Sequence, residues 1–119
     1  MQEIIDRYIA AWNETDAVKR RELVGSLWAA DGSYTDPLAD VRGPDAIAGL
    51  IGAAQEQFPG LVFTLGGPVD ANHNQARFSW HLGPAGAAPV VIGFDVVVLD
   101  GDGRIASVHG FQDKVPAAA

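Results

Sequence analysis

The chain contains no cysteine among its 119 residues. This absence excludes disulfide bonds, thiol catalysis and metal sites with cysteine ligands. Basic residues are also few, eight against fifteen acids, and the formal net charge is −7. Nucleic acids and anionic membranes attract proteins through basic surfaces. Neither is therefore an expected partner.

Long apolar runs and familiar ligand motifs are missing as well. No segment approaches the roughly 18 uninterrupted apolar residues of a membrane span, and the first residues, MQEIIDRYIAAW, lack the basic flank of a signal peptide. Phosphate loops and nucleophile elbows are absent, and His73, His81 and His109 lie on separate segments without metal-ligand spacing. We therefore expect a cytoplasmic protein that needs no metal and no cofactor.

The residues that are present suit one folded domain. Hydrophobic residues make up 48% of the chain and charged residues 19%, as in an ordinary globular protein. Asp16 is a candidate N-cap and Pro44 a candidate first-turn residue. Ser33–Thr35 is a candidate short strand. Three helices are predicted, because apolar residues recur at helical spacing in three groups: Ile4, Ile5, Tyr8, Ile9 and Trp12; Leu23, Val24, Leu27 and Trp28; and Ile47, Leu50, Ile51, Ala54 and Phe58.

From Leu61 onward the apolar residues alternate with a period of two, which predicts strands. The segments are LVFTLGGPV, QARFSWHL, VVIGFDVVVLD and RIASVHGFQDKV, and DGDG predicts a tight hairpin turn before the last one. In the second segment Ala76, Phe78, Trp80 and Leu82 point to one side. Helices followed by an antiparallel meander predict an α+β fold, with the helices on one face of a curved sheet.

Asp95 lies within the most apolar of these strands. It shares a face with Val91, Gly93, Val97 and Leu99, where the charged form of a carboxyl group is disfavoured. A carboxyl that stays protonated near neutral pH donates a hydrogen bond, as an oxyanion site requires. In a half-exposed sheet the same side chain would instead face water. The alternation leaves both interpretations open.

Tyr8 and Asp36 are two further candidates, each with a structural alternative. Tyr8 is either a core tyrosine with a backbone partner or a donor that lines a pocket between helix and sheet. Asp36, in YTDP, is a common turn residue before proline. The turn leads into a helix that must pack on the sheet, however, and a cavity would open at such a junction.

The order of these segments resembles a known superfamily. The stretches RYIAAWNETD, LVGSLWAADGSYTDP, GPDAI, RFSW, GFDVVVLDGDGRI and VHGF are together similar to the nuclear transport factor 2-like superfamily, and within it to SnoaL-like proteins and ketosteroid isomerases. The resemblance runs from about Asp6 to Asp113. It implies one cone-shaped domain over residues 1–119, with a core at about residues 4–114. Three N-terminal helices would pack on a curved, mostly antiparallel sheet.

The resemblance to ketosteroid isomerases also implies site residues. Their helix-one tyrosine falls on Tyr8, their general-base aspartate on Asp36, and their protonated oxyanion aspartate on Asp95. Tyr34 is the only other tyrosine, so no tyrosine network is expected behind Tyr8. The substrate-binding residues implied for the apolar pocket are Trp28, Leu50, Phe58, Phe78, Trp80 and Leu82.

The function implied is proton transfer next to a carbonyl group, by an isomerase or a polyketide cyclase without a cofactor. Asp36 would be the base, Tyr8 and Asp95 would donate to the enolate oxygen, and the ligand would be a small apolar ketone or a polyketide-like molecule. Because this scaffold carries many activities, two alternatives stay open. One is a non-catalytic module that binds an apolar ligand or dimerises through its outer sheet face, and the other is an epoxide hydrolase or dehydratase. A homodimer is the expectation for the family.

Overall fold

The computed structural model describes residues 1–116, which form three helices and seven strands. None of these helices is long and apolar enough to cross a bilayer. The helices are α1 Gln2–Asn13, α2 Ala17–Leu27 and α3 Pro44–Gln57. The strands are β1 Trp28–Asp36, β2 Ala39–Arg42, β3 Val62–Leu65, β4 Asp70–Asn72, β5 Gln75–Gly83, β6 Val91–Leu99 and β7 Ile105–Lys114.

The predicted α+β architecture is confirmed, with three helices packed on a curved, open sheet. The strand order is β2-β1-β7-β6-β5-β3, and β4 pairs with β5. The antiparallel meander predicted from Leu61 onward is confirmed, because β3, β5, β6 and β7 pair antiparallel in turn, and the sheet is mostly antiparallel as expected. The one parallel pair is β1 with β7. A parallel pair needs a long connection, and the chain between β1 and β7 provides it.

Two helix ends follow the predicted signals. The Asp16 carboxylate accepts a hydrogen bond from the backbone N–H of Lys19 at 3.0 Å, so Asp16 caps α2 as predicted. Pro44 lies in the first turn of α3, behind Gly43, whose φ of 91° suits a residue without a side chain. The helix starts were therefore readable from local chemistry.

The boundary between α2 and β1 differs from the prediction. Trp28 was expected on the apolar stripe of the second helix, but its backbone is extended (φ −86°, ψ 147°) and it begins β1. The strand is also nine residues long, where only Ser33–Thr35 was predicted. Its Ala-Ala-Asp-Gly segment has weak strand propensity and forms an irregular stretch between Trp28 and Ser33, which both pair with β7.

The other differences concern short strands at the sheet's margins. The four residues of β2 and the three of β4 were not predicted, because segments this short carry little periodicity. The predicted strand LVFTLGGPV contributes only Val62–Leu65, since Gly66, Gly67 and Pro68 follow it and weaken strand structure.

The core lies between the helices and the inner face of the sheet. Ile5, Ile47 and Ile51 from the helices pack there against Val97 and Val108, and all five are fully buried. At one end of this layer the side chains do not meet. The space left between the helices, β1 and β6 is the candidate site.

Candidate active site

A cavity of about 340 Å³ opens between the helical layer and the sheet. At about 30 Å³ per molecule of liquid water, it has room for a compact organic ligand, and it falls at the small end of the range for ligand pockets. Its wall is mostly apolar: Ile9, Trp12, Leu38, Leu50, Ala53, Ala54, Phe58, Phe63, Trp80, Leu82, Val91, Val115 and Pro116. Its polar lining consists of Tyr8, Tyr34, Asp36, Asp95, Gln57 and Gln112.

Tyr8 and Asp95 form a buried hydrogen-bonded pair in this cavity. The Tyr8 hydroxyl donates to Asp95 Oδ2 at 2.7 Å, and the two residues are only 1% and 2% exposed. Tyr8 comes from the middle of α1 and Asp95 from the middle of β6. Asp95 is turned inward, which is one of the two orientations that the sequence left open. The other carboxyl oxygen, Asp95 Oδ1, is buried and has no hydrogen-bond donor.

Burial raises the pKa of the Asp95 carboxyl from 3.8 to about 6. The hydrogen bond from Tyr8 and the nearby Trp80 indole lower that pKa, and the charge of Asp36 raises it further. Burial likewise raises the pKa of Tyr8, with the Asp95 charge adding to the rise. The protonated form of Asp95 therefore persists to a higher pH than that of an exposed aspartate.

Asp36 forms a second pair with Tyr34. The Tyr34 hydroxyl donates to Asp36 Oδ2 at 2.8 Å, while Oδ1 accepts from the backbone N–H groups of Leu38 and Ala39 at 2.8 and 2.9 Å. The turn role foreseen for Asp36 is therefore real, and the carboxylate lines the cavity as well. A carboxylate has about four acceptor positions. Three of them are occupied here, and one is left for a ligand.

Gly110 leaves room for the Asp95 carboxyl group next to Asp36. It is buried on β7, directly opposite Asp95 in the antiparallel register. A Cβ at this position would lie 2.9 Å from Asp95 Oδ1 and 3.1 Å from the Cβ of Asp36. Such contacts are too tight for a side chain. The absence of one at Gly110 therefore leaves room for Asp95 Oδ1 and the Cβ of Asp36 beside the same point of β7.

Trp80 forms a flat wall of the cavity because its partner on β6 is a glycine. Trp80 lies opposite Gly93, and its ring covers the Gly93 backbone so closely that a Cβ there would lie 2.0 Å from a ring carbon. The ring also packs on Phe63, with 5.5 Å between centroids. Trp80 thus lines the cavity without filling it.

We expect Gly93→Ala to push the Trp80 ring out of this position. Overpacking of this kind costs about 1–3 kcal/mol of unfolding free energy, and the displaced ring should alter tryptophan fluorescence. Gly49→Ala is the matched control, because nothing lies within 4 Å of its added Cβ in α3, and it should leave stability unchanged or raise it by up to about 1 kcal/mol. Equal stability of the two variants in urea unfolding would contradict this account of the wall.

The structure brings together most of the predicted site residues. Seven of them line the one cavity: Tyr8, Asp36, Asp95, Leu50, Phe58, Trp80 and Leu82. Trp28 and Phe78 are not in its lining. Both are 1% exposed and support the Tyr8 ring from behind, with centroids 5.5 and 5.6 Å away. Trp28 was expected in the cavity wall as part of the second helix, but it belongs to β1. Phe78 was expected there because it shares a face with Trp80, but it lies opposite Asp95 and packs behind Tyr8.

Several lining residues were not predicted. Tyr34 holds Asp36, and its position two residues earlier on an alternating strand was the available signal. The aromatic ring of Trp12 lines the cavity one helical turn after Tyr8, and its buried indole N–H has no acceptor. Gln112 and Phe63 also belong to the lining. Within residues 1–116, no group of three His, Asp or Glu side chains could hold a metal ion.

Comparisons with known proteins were made on sequence and on structure. The model of the SnoaL-like domain family matches residues 5–108. A crystal structure of a candidate isomerase of the SnoaL-like family, from Agrobacterium tumefaciens strain C58, is 46% identical with a TM-score of 0.89, and the match covers 94% of this chain and 96% of that one. No protein of curated function matches the sequence.

More distant structures share the fold. A candidate polyketide cyclase from Sinorhizobium meliloti is 19% identical, with a TM-score of 0.71 over 91% of this chain and 93% of that one. An LEH-like epoxide hydrolase from M. tuberculosis is 17% identical, with a TM-score of 0.64 over 93% and 80% of the two chains. At these identities the likeness concerns the fold, which hosts different chemistries.

Proposed function

The chain belongs to the SnoaL-like family, and we propose that it is an enzyme that moves a proton next to the carbonyl group of a small apolar ketone or polyketide-like substrate. The observation that carries the proposal is that Tyr8, Asp36 and Asp95 line one mostly apolar cavity. The description of the 46% identical relative as a candidate isomerase supports the same class of reaction.

Asp36 is the base in this proposal. Its carboxylate lines the cavity with one acceptor position unoccupied, and that position takes the proton from the carbon beside the carbonyl. Three hydrogen bonds hold the carboxylate in one orientation, and such positioning lowers the barrier of proton transfer. Returning the proton to a different carbon gives isomerisation, whereas attack of the enolate carbon on a second carbonyl gives cyclisation.

Tyr8 and Asp95 stabilise the negative charge that develops on the carbonyl oxygen. The Tyr8 hydroxyl, whose one proton goes to Asp95 Oδ2 in the structure, turns that proton to the carbonyl oxygen when Asp95 is protonated, and Asp95 donates beside it. Preorganised donors in a water-poor site are typically the largest contributors to such reactions. An enolate beside Asp95 would favour the protonated form of this carboxyl, as any neighbouring negative charge does. The pKa of Asp95, already raised to about 6 by burial, lies close to the range in which this donor is available. The chemistry requires no cofactor.

Hydrogen exchange at the carbon next to a carbonyl tests the proposal. We expect the protein to catalyse deuterium incorporation from D₂O into small cyclic ketones and enones, measured by NMR, with saturation kinetics and inhibition by a compact phenol that mimics the enol. The catalysed rate should fall as pH rises above about 6, because Asp95 loses its proton there. Exchange no faster than in buffer across the whole panel would refute proton transfer as the function.

A non-catalytic binding role is the second candidate, and the apolar wall of the cavity favours it. That wall would hold an apolar ligand whether or not the carboxyl groups react. Saturable binding of the same ketones and phenol, without any exchange, is the result that this alternative predicts.

A further inference from the structure

The charges and rings of the cavity are matched to a cation as well as to a neutral ketone. Of the described lining residues two are acids, Asp36 and Asp95, and none is Lys, Arg or His. An anionic ligand would therefore meet like charge without a counter-ion. A cation would instead meet opposite charge in a partly enclosed apolar space, where such attraction is stronger than in water.

The polar groups near this point are incompletely satisfied. Asp95 Oδ1 is buried without a donor, and it lies beside Gly110 at a point that the Cβ of Asp36 also approaches. Asp36 has an acceptor position to spare. Asp36 is also near enough for its charge to oppose ionisation of Asp95. A cation placed between the two carboxyl groups would offset this repulsion and supply the missing donors.

The aromatic content of the wall adds a second attraction. Six aromatic side chains line the cavity: Tyr8, Trp12, Tyr34, Phe58, Phe63 and Trp80. Aromatic faces attract ammonium groups through the ring quadrupole, most strongly where water is excluded. The apolar remainder of the cavity would accommodate a compact hydrocarbon body on the same molecule.

We propose that the cavity binds small apolar amines in their protonated form, with Asp36 as the counter-ion and the aromatic wall around the ammonium group. This ligand class goes beyond the proposed reaction, because the amine undergoes no chemistry. It would compete with the ketone for the same cavity. Binding is measurable without turnover, so the two proposals can fail separately.

A matched pair of probes tests the charge directly. We expect cyclohexylmethylamine, protonated at pH 7.5, to bind at least about tenfold more tightly than the neutral cyclohexylmethanol in calorimetric titrations at low salt. Asp36→Asn should remove most of this preference. Asp40→Asn is the matched control, because Asp40 is an exposed acid outside the cavity lining, and it should keep the preference.

The pH dependence provides an independent arm. The titratable groups that line the cavity with Asp95 are Tyr8 from α1 and Tyr34 and Asp36 from β1. As Asp95 loses its proton between pH 5 and 7, the affinity for the amine should rise, and Asp95→Asn should remove that rise. Three results would overturn the proposal: equal affinity for the two probes, binding of neither, or an amine preference that survives in Asp36→Asn.

Discussion

The Asp36→Asn variant is expected to lose proton exchange on bound ketones by about 10²–10⁴-fold, the usual contribution of a positioned general base. The amide oxygen can accept from Leu38 and Ala39 as the carboxylate does, and its NH₂ group can donate to the Tyr34 hydroxyl. The turn should therefore persist while the base is lost. The change should appear in kcat, because the apolar wall that binds the substrate is untouched.

The measurement is the NMR exchange assay on both proteins, with circular dichroism and urea unfolding as tests of folding. Asp40→Asn is the control, because it removes the same charge four residues away. Asp40 is exposed, and its carboxylate accepts a hydrogen bond from the Thr35 hydroxyl. This variant should retain full exchange activity. A folded Asp36→Asn protein that exchanges at the rate of the unmutated protein would assign the base to another group, and loss in both variants would indicate a general electrostatic effect.

Replacing Asp95 by asparagine is expected to change how stability depends on pH. The pKa of Asp95 rises from 3.8 to about 6 on folding, so between these values the folded state binds more protons than the unfolded state. Stability from this group is fully present below pH 3.8 and is lost as pH rises through about 6. The loss amounts to about 3 kcal/mol, since each pKa unit corresponds to about 1.4 kcal/mol.

Asparagine cannot ionise, so the Asp95→Asn variant does not lose this stability as pH rises. Its unfolding free energy relative to that of the unmutated protein should therefore increase by about 3 kcal/mol between pH 3.8 and pH 7.5. Taking the difference in unfolding free energy between the two proteins at each pH removes the contribution of the other acids. Asp113→Asn, an exposed acid near the end of β7, is the control and should follow the unmutated protein. If the difference in unfolding free energy between the two proteins stayed constant with pH, burial would not raise the pKa of Asp95, and the account of its buried pair with Tyr8 would be wrong.

Individual residues show what periodicity could predict. Asp95 was identified because one polar residue interrupts an alternating apolar face, and this pattern depends on the sequence alone. Tyr8 was identified in the same way on a helix. The strand position of Trp28 was not identified, because a residue at the junction of a helix and a strand is compatible with both the helical and the strand periodicity. The pairing of β1 with β7, more than 70 residues later, decides its conformation.

The family resemblance added roles that the pattern could not. Chemistry at Asp36 was not distinguishable from turn formation by local sequence, and the structure gives the side chain both a turn and a place in the cavity lining. Phe78 was expected in the pocket wall because it shares a face with Trp80 and Leu82. The buried face of a strand can contain residues that line the cavity, such as Trp80 and Leu82, and residues that pack behind its wall, such as Phe78 against Tyr8. Alternation along the strand cannot distinguish the two, and only the three-dimensional packing does.

The sequence by itself determined the three helices, the long strands β5, β6 and β7, and the two polar residues Tyr8 and Asp95 on apolar faces, because these depend on spacing along the chain. Only the tertiary structure decided that the Tyr34 hydroxyl donates to Asp36, that the Trp80 ring covers Gly93, and that Gly110 leaves room for Asp95 Oδ1 beside Asp36. The contacts at Gly93 and Gly110 join neighbouring strands that are distant in sequence, and the contact of Tyr34 with Asp36 depends on the extended conformation that β1 adopts by pairing. The end of β1, which contributes Tyr34 and Asp36 to the cavity, is held in its extended form because β7 returns to pair with it.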